Sequence, residues 1–143
     1  MKSRVGENYV WIELRIQSLV RRPDFLVGDV ISTAHFCRDT LGFTFDRIWG
    51  EPPSFCMVNR KGVTIMLAQI DDATLVQPNN IVSREGGAWD AYIWIDNVDA
   101  LYAELLSKGA QITRSICDQP YGCRDFDVLD CNGYRLCFGQ DIS

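Results

Sequence analysis

The side chains that most often bind metals or act as nucleophiles are scarce and widely spaced in this sequence. It contains one histidine, His35, and six cysteines, so one copy of the chain cannot form a metal centre with two histidine ligands. No two cysteines stand in a C-x-x-C arrangement, the spacing that is typical of zinc sites. This spacing favours reduced, mostly buried thiols in a cytoplasmic protein, and a structural or surface role for His35. The six thiols are Cys37, Cys56, Cys117, Cys123, Cys131 and Cys137.

The charge balance narrows the range of partners. Fourteen Lys and Arg residues against nineteen Asp and Glu residues give a formal net charge of −5 over 143 residues. A nucleic-acid-binding surface needs positive charge to displace counterions from phosphates, so no nucleic-acid partner is expected. A cationic ligand is compatible with the charge. Because Glu13, Arg15 and Gln17 interrupt the first hydrophobic stretch, neither a signal peptide nor a membrane span is predicted.

Two segments of similar pattern must position any functional side chains. In the first, residues 25–27 are predicted to form a short strand, Asp29 to cap a helix over 30–40, and Gly42 to end that helix. Strands are predicted near 44–49, 55–59 and 63–68. The residues at helical spacing on the predicted buried face are Val30, Ala34, Cys37 and Leu41.

The second segment repeats this order. A strand over 91–95 precedes a helix over 98–108, whose inward face is predicted to hold Val98, Leu101, Leu105 and Leu106. Strands follow near 111–116, 125–129 and 134–138, the last two joined by a tight turn over 130–133. The halves match at a spacing of 68 residues at the strand-to-helix junctions. They match at a spacing of 71 over the later strands, as in Phe55/Phe126, Val58/Leu129, Gly62/Gly133, Ile65/Leu136 and Leu67/Phe138.

Each half therefore has the order β-α-β-β-β, which predicts an α+β domain built from two tandem modules. Residues 1–21 form an N-terminal extension, 22–70 the first module, 71–88 a polar connector, and 89–143 the second module. The extension alternates apolar and polar side chains as a strand would. It also places Ile12, Ile16, Leu19 and Val20 on one side of a helix, and both interpretations stay open.

Three short segments of this repeat resemble the vicinal oxygen chelate superfamily, which comprises glyoxalases, extradiol dioxygenases and bleomycin-resistance proteins. They are residues 36–43 at the first helix-to-strand junction, and residues 121–126 and 130–133 in the second half. The resemblance covers about residues 22–140. It implies that the curved mixed sheets form a cup with the binding site inside. It also implies a homodimer, in which the clefts are built from modules of both chains.

The resemblance further implies where a metal ion would lie. Metal-dependent members place four ligands on the first and last strands of each module, and here those positions hold Arg22, Met66, Asp90 and Cys137. Arginine is permanently cationic, and a methionine thioether is a poor ligand for the harder metals of such enzymes. We therefore expect no metal and no cofactor. The sequence is closest in character to the metal-free members that resemble bleomycin-resistance proteins.

Strand alternation predicts which side chains line the cup. If Asp90 points inward, so do Tyr92 and Trp94, because every second side chain of a strand lies on the same face. Trp89 and Tyr121 are expected near the mouth. Aromatic walls with a few charged groups suit a flat or extended organic ligand. The predicted ligand-binding residues are Asp90, Tyr92, Trp94, Arg135, Cys137, Met66, Trp49 and Phe55.

The leading functional hypothesis is therefore a metal-free protein that sequesters a small cationic or aromatic molecule, such as an antibiotic, and so confers resistance. The first alternative is a metal-dependent lyase, isomerase or dioxygenase of the same fold, with an oxygen-rich ligand set of Asp24, Glu85 and Asp90. The second alternative is a metal-free enzyme that uses Asp90 or Cys137 as general base or nucleophile. The sequence assigns no catalytic residue.

Overall fold

The first module has the predicted order of elements. The computed structural model describes residues 22–83 and 88–143, and the open question about residues 1–21 lies outside these ranges. The first sheet has the strand order β1-β4-β3-β2, with β1 parallel to β4 and the other neighbours antiparallel. Its elements are β1 (Asp24–Val27), α1 (Val30–Asp39), β2 (Ile48–Trp49), β3 (Phe55–Arg60) and β4 (Val63–Gln69).

The second module repeats the arrangement, with the strand order β5-β8-β7-β6 and β5 parallel to β8. The connector contains a 3-10 turn (Ala73–Leu75) and a one-turn helix, neither of which its polar sequence predicted. No helix in the described ranges is both long and apolar enough to cross a membrane. The remaining elements are α2 (Asn79–Val82), β5 (Ala91–Trp94), α3 (Val98–Ser107), β6 (Gln111–Asp118), β7 (Cys123–Leu129) and β8 (Arg135–Asp141).

Helix α1 begins and packs as its sequence predicts. The Asp29 carboxylate accepts the main-chain N–H of Ser32 at 2.9 Å, which satisfies one of the free donors of the first turn. All four residues of the predicted apolar face are buried. The chain leaves the helix through Gly42, whose φ of +70° lies in the left-handed region that favours glycine. The α1 predictions are confirmed.

Helix α3 differs from its prediction at one position. Val98, Leu101 and Leu105 are buried, but Leu106 is 49% exposed, so its predicted inward orientation is wrong. Adjacent helical residues lie about 100° apart, and Leu105 already occupies the middle of the buried stripe. Leu106 therefore points away from the sheet.

The internal repeat is confirmed, but with a different register over one strand. In the first sheet Met57 pairs with Met66, and in the second Asp127 pairs with Cys137. The third strands therefore match at a spacing of 70 rather than 71, because residues 130–134 of the second module correspond to residues 60–63 of the first, which hold one residue fewer. The predicted matches of Phe55 with Phe126 and of Val58 with Leu129 are wrong: the counterpart of Phe55 is Asp125, and that of Val58 is Val128.

The predicted strand over 44–49 is also too long. Thr44 makes only an isolated bridge to Asn59, and regular pairing begins at Ile48. Between them, Phe45 turns its ring toward α1 and lies 6.1 Å from the imidazole ring of His35. The single histidine is exposed beside this ring, which fits the surface role predicted for it.

The two modules contact each other through the sides of their sheets that carry the helices. Phe25 of β1 stacks on Tyr134 at 4.4 Å between ring centroids, and the Tyr134 hydroxyl donates to the carbonyl of Leu26. The Asn132 side chain, in the turn before β8, donates to Thr33 of α1 at 3.0 Å. One hydrophobic core therefore includes residues of both modules, and the fold is of the predicted α+β class.

Candidate functional site

The open face of the second sheet, meaning the face directed away from α3, carries a group of charged and aromatic side chains. Along β7, Phe126 and Val128 point into the core, and Asp125 and Asp127 point to the open face. Both aspartates are completely inaccessible to solvent, although no helix within residues 22–83 and 88–143 packs on this face. Buried carboxylates are rare unless they are paired, so their partners define the site.

Asp127 is the centre of a dense set of hydrogen bonds. Its Oδ1 accepts from Arg114 Nη2 at 2.8 Å and from Trp89 Nε1 at 3.1 Å. Its Oδ2 accepts from Arg114 Nε at 3.0 Å and from Arg135 Nε at 2.8 Å, with Arg135 Nη2 also in contact. One buried carboxylate thus orients two guanidinium groups and one indole ring.

Asp125 holds two phenol groups in place. Its Oδ2 accepts the hydroxyl of Tyr92 at 2.9 Å and the hydroxyl of Tyr121 at 2.6 Å. Its Oδ1 lies 2.8 Å from Arg114 Nη1 as an ion pair, although the N–H is not well aligned for a hydrogen bond. Since Arg114 bridges both aspartates, the two carboxylates and two guanidinium groups form one network whose formal charges balance.

Three aromatic rings form a row on this network. Tyr92 lies between Trp89 and Trp94, with ring centroids 5.1 and 5.0 Å away. The Tyr92 ring lies flat against the sheet because Gly139, on β8, has no side chain. A Cβ at Gly139 would stand 2.6 Å from Tyr92 Cζ and would overlap its hydroxyl. Trp94 and Trp89 are 59% and 36% exposed, so the two outer rings of the row face solvent.

The pKa values of the titratable groups in this network are shifted away from pH 7. Burial alone would raise the pKa of Asp127, but hydrogen bonds from Arg114 and Arg135 hold it below its ordinary value. The pKa of Asp125 is lowered in the same way, against burial, by Tyr121 and Arg114. Burial raises the pKa values of Tyr92 and Tyr121, and their bonds to the Asp125 carboxylate raise them further. Both carboxylates are therefore ionised and both phenols neutral at pH 7.

Cys137 lies beside this network but is not activated by it. The thiol is buried, with Arg114 Nη2 3.6 Å from its sulfur. Burial, followed by contact with Asp127, raises the pKa of Cys137 well above its ordinary value. A nucleophilic or metal-binding cysteine requires the thiolate, which this environment disfavours.

The Asp90 carboxylate is hydrogen-bonded within the protein and has a structural role. Its Oδ1 accepts the N–H of Asn79 at 2.7 Å, and its Oδ2 accepts the N–H of Arg135 at 2.8 Å and the side chain of Asn80 at 3.4 Å. The carboxylate thus ties α2 of the connector to the start of β8.

The other three predicted ligand-binding residues belong to the first module. Met66 and Phe55 lie on the open face of the first sheet, partly buried. Trp49 is tilted against Phe55 at 5.7 Å and is covered on one side by the Arg47 guanidinium at 4.9 Å. The structure thus places Tyr92, Trp94, Arg135 and Cys137 in one network and leaves Met66, Phe55 and Trp49 on the other sheet.

Three members of the network were missed in the sequence: Arg114, Asp125 and Asp127. The pattern Asp-Phe-Asp-Val-Leu over 125–129 carries a detectable signal, because two acidic residues alternate with apolar ones in a strand predicted to lie within the sheet. The spacing of 71 concealed it, since it matched Phe126 rather than Asp125 with Phe55. Arg114 has no comparable signal, because β6 contains register shifts on both sides of it.

A separate cavity of about 320 Å³ lies between the modules, on the sides that carry the helices. Its floor includes Phe43 and Leu101, and its rim includes Arg60 and Glu104. These two charged residues are already bonded to each other at 2.7 and 2.9 Å. The two charged groups at its rim are therefore already paired and less available to a ligand. The network on the open face is the stronger candidate site.

The fold described above, with its repeat and two mixed sheets, agrees with the protein family that the sequence matches. Residues 16–138 match the family model of the Glyoxalase/Bleomycin resistance protein/Dioxygenase superfamily. The chain belongs to this superfamily. No curated protein matches its sequence.

Solved structures of this superfamily share the fold at low sequence identity. The bleomycin-binding protein from bleomycin-producing Streptomyces verticillus, complexed with copper(II)-bleomycin, has 22% identity and a TM-score of 0.62; the match covers 87% of this chain and 96% of that one. TioX from Micromonospora sp. ML1 has 17% identity and a TM-score of 0.64, with coverages of 86% and 96%. Lactoylglutathione lyase from Agrobacterium tumefaciens has 16% identity and a TM-score of 0.62, with coverages of 86% and 93%.

The superfamily includes metal-dependent enzymes, but the residues at the four expected ligand positions do not fit a divalent metal. Arg22 is a cation whose guanidinium lies 3.8 Å from the sulfur of Met57, and Met66 pairs with Met57 in the sheet. Asp90 accepts main-chain N–H groups through both oxygens, and Cys137 is buried as a neutral thiol. Within residues 22–83 and 88–143, no three His, Cys, Asp or Glu side chains converge as a metal site would require.

The alternative oxygen-rich set fares no better in the part that is described. Asp24 is exposed on β1 of the first module, and Asp90 bonds to the connector in the second. Glu85 lies outside the described residues.

Proposed function

We propose that this protein binds a planar aromatic small molecule, such as an antibiotic, on the open face of the second module and sequesters it without catalysis. The observation that carries this proposal is the row of Trp89, Tyr92 and Trp94, held over a hydrogen-bonded floor and left exposed. Aromatic side chains lose little conformational entropy on binding and offer large flat contacts. They therefore suit a ligand that binds by stacking.

The environment of the titratable groups supports binding rather than acid–base catalysis. Efficient general acids and bases have pKa values near the working pH. On this face the pKa values of Asp125 and Asp127 are lowered, and those of Tyr92 and Cys137 are raised, each away from neutrality. A metal-dependent reaction remains distinguishable from sequestration by elemental analysis of protein purified without chelators, where stoichiometric iron, manganese, zinc or nickel would contradict our proposal.

We further propose that two copies of the chain complete the cup, with the open face of the first module of one copy lying against the open face of the second module of the other. The contacts between the modules of one chain lie on the sides that carry the helices, and Leu26 and Trp94 stay exposed on the two open faces. Sedimentation equilibrium should give a dimer mass. A monomer that binds the ligand with full affinity would contradict this arrangement.

The cysteines support a cytoplasmic location as part of the same proposal. All six lie in the described residues and are free thiols. Reducing compartments keep cysteines in this state.

Isothermal titration calorimetry against a panel of planar aromatic antibiotics and cationic glycopeptides tests the binding function. We expect at least one planar compound to bind, and Trp94→Ala to weaken that binding at least tenfold because a stacked ring is lost. Leu106→Ala provides the control, since it removes an exposed apolar side chain from α3 on the other side of the sheet. Absence of binding across the panel, or equal losses in the two variants, would contradict the proposal.

A further inference from the structure

The charged side chains of the network on the open face are not equally exposed to solvent. The carboxylates of Asp125 and Asp127 are fully buried, whereas the side chains of Arg114 and Arg135 are 27% and 17% exposed. The four formal charges cancel, but the negative groups lie beneath the positive ones. A ligand on this face therefore meets the positive end of the network.

Asp141 lies on this face at the far end of β8, exposed, where its carboxylate accepts the N–H and the hydroxyl of Ser143. Asp90 is the acidic group beside the network, and it does not reverse the polarity there. Its two oxygens accept the N–H groups of Asn79 and Arg135 and an amide N–H of Asn80. Hydrogen bonds of this kind occupy the directions in which a carboxylate would bind a cationic ligand. On the described part of this face, the accessible carboxylate is therefore that of Asp141, at the opposite end of β8 from Arg135.

The aromatic row limits the shape of the ligand. Tyr92 lies flat over Gly139, and its hydroxyl is fixed by Asp125 beside that of Tyr121. The row is therefore preorganised, because the ring position is set by both packing and hydrogen bonding.

Tyr92 stands at 70° to Trp89 and at 57° to Trp94, so a rigid planar molecule can stack on one ring of the row at a time. Because Arg114 Nη1 is buried and Arg114 Nε and Nη2 already donate to Asp127, an edge of that molecule meets the network through the partly exposed side chain of Arg135.

We propose that this face selects planar aromatic molecules that carry a carboxylate or carbonyl oxygen at one edge, and that it discriminates against aromatic cations. This inference rests on the proposed binding function and names its ligand class. It replaces the cationic ligand that the overall charge of the sequence suggested. A cation would still gain from stacking on the rings, but its charge would face Arg114 and Arg135 instead of a carboxylate.

Three tricyclic probes of nearly equal shape test this selection: acridine-9-carboxylate, neutral acridone and cationic 9-aminoacridine. Each is titrated into the full-length protein by calorimetry at pH 7.5 and low salt. We expect the carboxylate and acridone to bind at least tenfold more tightly than the cation. Added salt should weaken binding of the carboxylate and leave acridone almost unaffected, because salt screens only the charged contact.

A charge-balanced variant shows whether the guanidinium groups cause the preference. Arg135→Gln combined with Asp127→Asn removes one charge of each sign, so the formal charge of the network stays zero. The preference for the carboxylate over the cation should fall at least threefold, with acridone binding retained. Circular dichroism and a folded-state melting transition confirm that the variant folds. Arg124→Gln is the control, since Arg124 pairs with Asp99 and Asp118 outside the network.

The outcomes separate this inference from the function on which it rests. If all three probes bind with similar affinity, or if the cation binds most tightly, the binding function stands and the charge selection is wrong. If no probe binds, both are wrong. An unchanged preference in a folded double variant would also overturn the inference, because the exposed guanidinium groups would then have no role in selection.

Discussion

The open faces of the two sheets have the same backbone plan and very different chemistry. In the first module, Phe55, Met57, Met66 and Ala68 make a largely apolar surface without a buried charge. The second module presents the arginine–aspartate network and the aromatic row. Both sheets have the same strand order, and their backbones differ mainly at one edge, where β6 has eight residues with register shifts on both sides of Arg114 and β2 has two.

The sheet register allows a comparison position by position. Because Asp24 pairs with Met66 and Tyr92 pairs with Cys137, the two first strands are equivalent. Asp125 and Asp127 then occupy the positions of aromatic and thioether side chains in the first module. The equivalent open-face pairs are Asp24/Tyr92, Leu26/Trp94, Phe55/Asp125, Met57/Asp127, Met66/Cys137 and Ala68/Gly139.

This difference shows which parts of the repeat are constrained by folding. The sides that carry the helices share one core and hold apolar residues in both modules, such as Val58 and Val128. Among the described residues the open faces make no such core, and their side chains differ at each of these equivalent pairs. Folding therefore leaves the open face free to specialise, and in the second module it carries a costly buried network.

The most disruptive test of this contrast is removal of the buried charge at the centre of the network. Asp127→Asn leaves two guanidinium groups without their main partner, and we expect it to lower the free energy of unfolding by about 3 kcal/mol. The equivalent change in the first module, Met57→Leu, should cost less than about 1.5 kcal/mol because it conserves volume and apolar character. Urea unfolding of both variants measures the difference.

A compensated variant separates charge imbalance from loss of packing. Asp127→Leu combined with Arg135→Met removes one charge of each sign and keeps the Arg114–Asp125 pair. We expect it to recover much of the stability lost in Asp127→Asn, since replacing an ion pair by apolar side chains is often neutral. If Asp127→Asn is as stable as Met57→Leu, the two open faces do not differ energetically as we infer.

The second prediction concerns the Ala68/Gly139 pair, where the two modules differ by one methyl group. Gly139→Ala should lower the free energy of unfolding by about 1–3 kcal/mol and displace Tyr92, because the new Cβ would overlap that ring. Alanine is tolerated at position 68 because its module has Asp24 where the second has Tyr92.

A double-mutant cycle tests the cause of this loss. With Tyr92→Ala in the background, Gly139→Ala should cost almost nothing, because no ring remains to overlap. Thermal unfolding of the four proteins gives the coupling energy. Additive losses would show that Gly139 is required for some reason other than the position of Tyr92.

The contrast between the helix-bearing sides and the open faces also explains which features the sequence predicted. Helical spacing identified Val30, Ala34, Cys37 and Leu41, because a buried helical stripe repeats with the period of the helix. Strand alternation identified Tyr92 and Trp94 as neighbours on one face. The predicted inward orientation of Leu106 was wrong because a leucine beside the buried stripe is as apolar as a leucine within it.

The network itself depended on information that the sequence pattern did not carry. The ion pairs of Arg114 with Asp125 and Asp127 join strands whose register contains two irregularities, and residue types alone do not show these. The single extra residue in the turn before β8 shifted the alignment of the halves by one. Such a shift reverses the face assigned to every side chain of a strand, so Asp125 and Asp127 were overlooked.

The smallest expected effect concerns a charge pair that joins the modules rather than distinguishing them. Arg60 of β3 and Glu104 of α3 bond at 2.7 and 2.9 Å, and their side chains are 19% and 34% exposed. Because water screens this pair, Glu104→Gln should lower the free energy of unfolding by at most about 1 kcal/mol at pH 7. Asp39→Asn, which breaks the fully exposed pair with Arg38, should have no measurable effect.

The pH dependence of the Glu104 pair gives it a second, independent test. The hydrogen bond from Arg60 lowers the pKa of Glu104 to about 2 from an ordinary value of 4.5. A lowered folded-state pKa stabilises the protein above pH 4.5, and this contribution is lost as the pH falls toward 2. The wild type should therefore lose its small advantage over Glu104→Gln across that range. A Glu104→Gln loss as large as that of Asp127→Asn would mean that the junction between the modules, and not the buried network, dominates the charge-dependent stability of this fold.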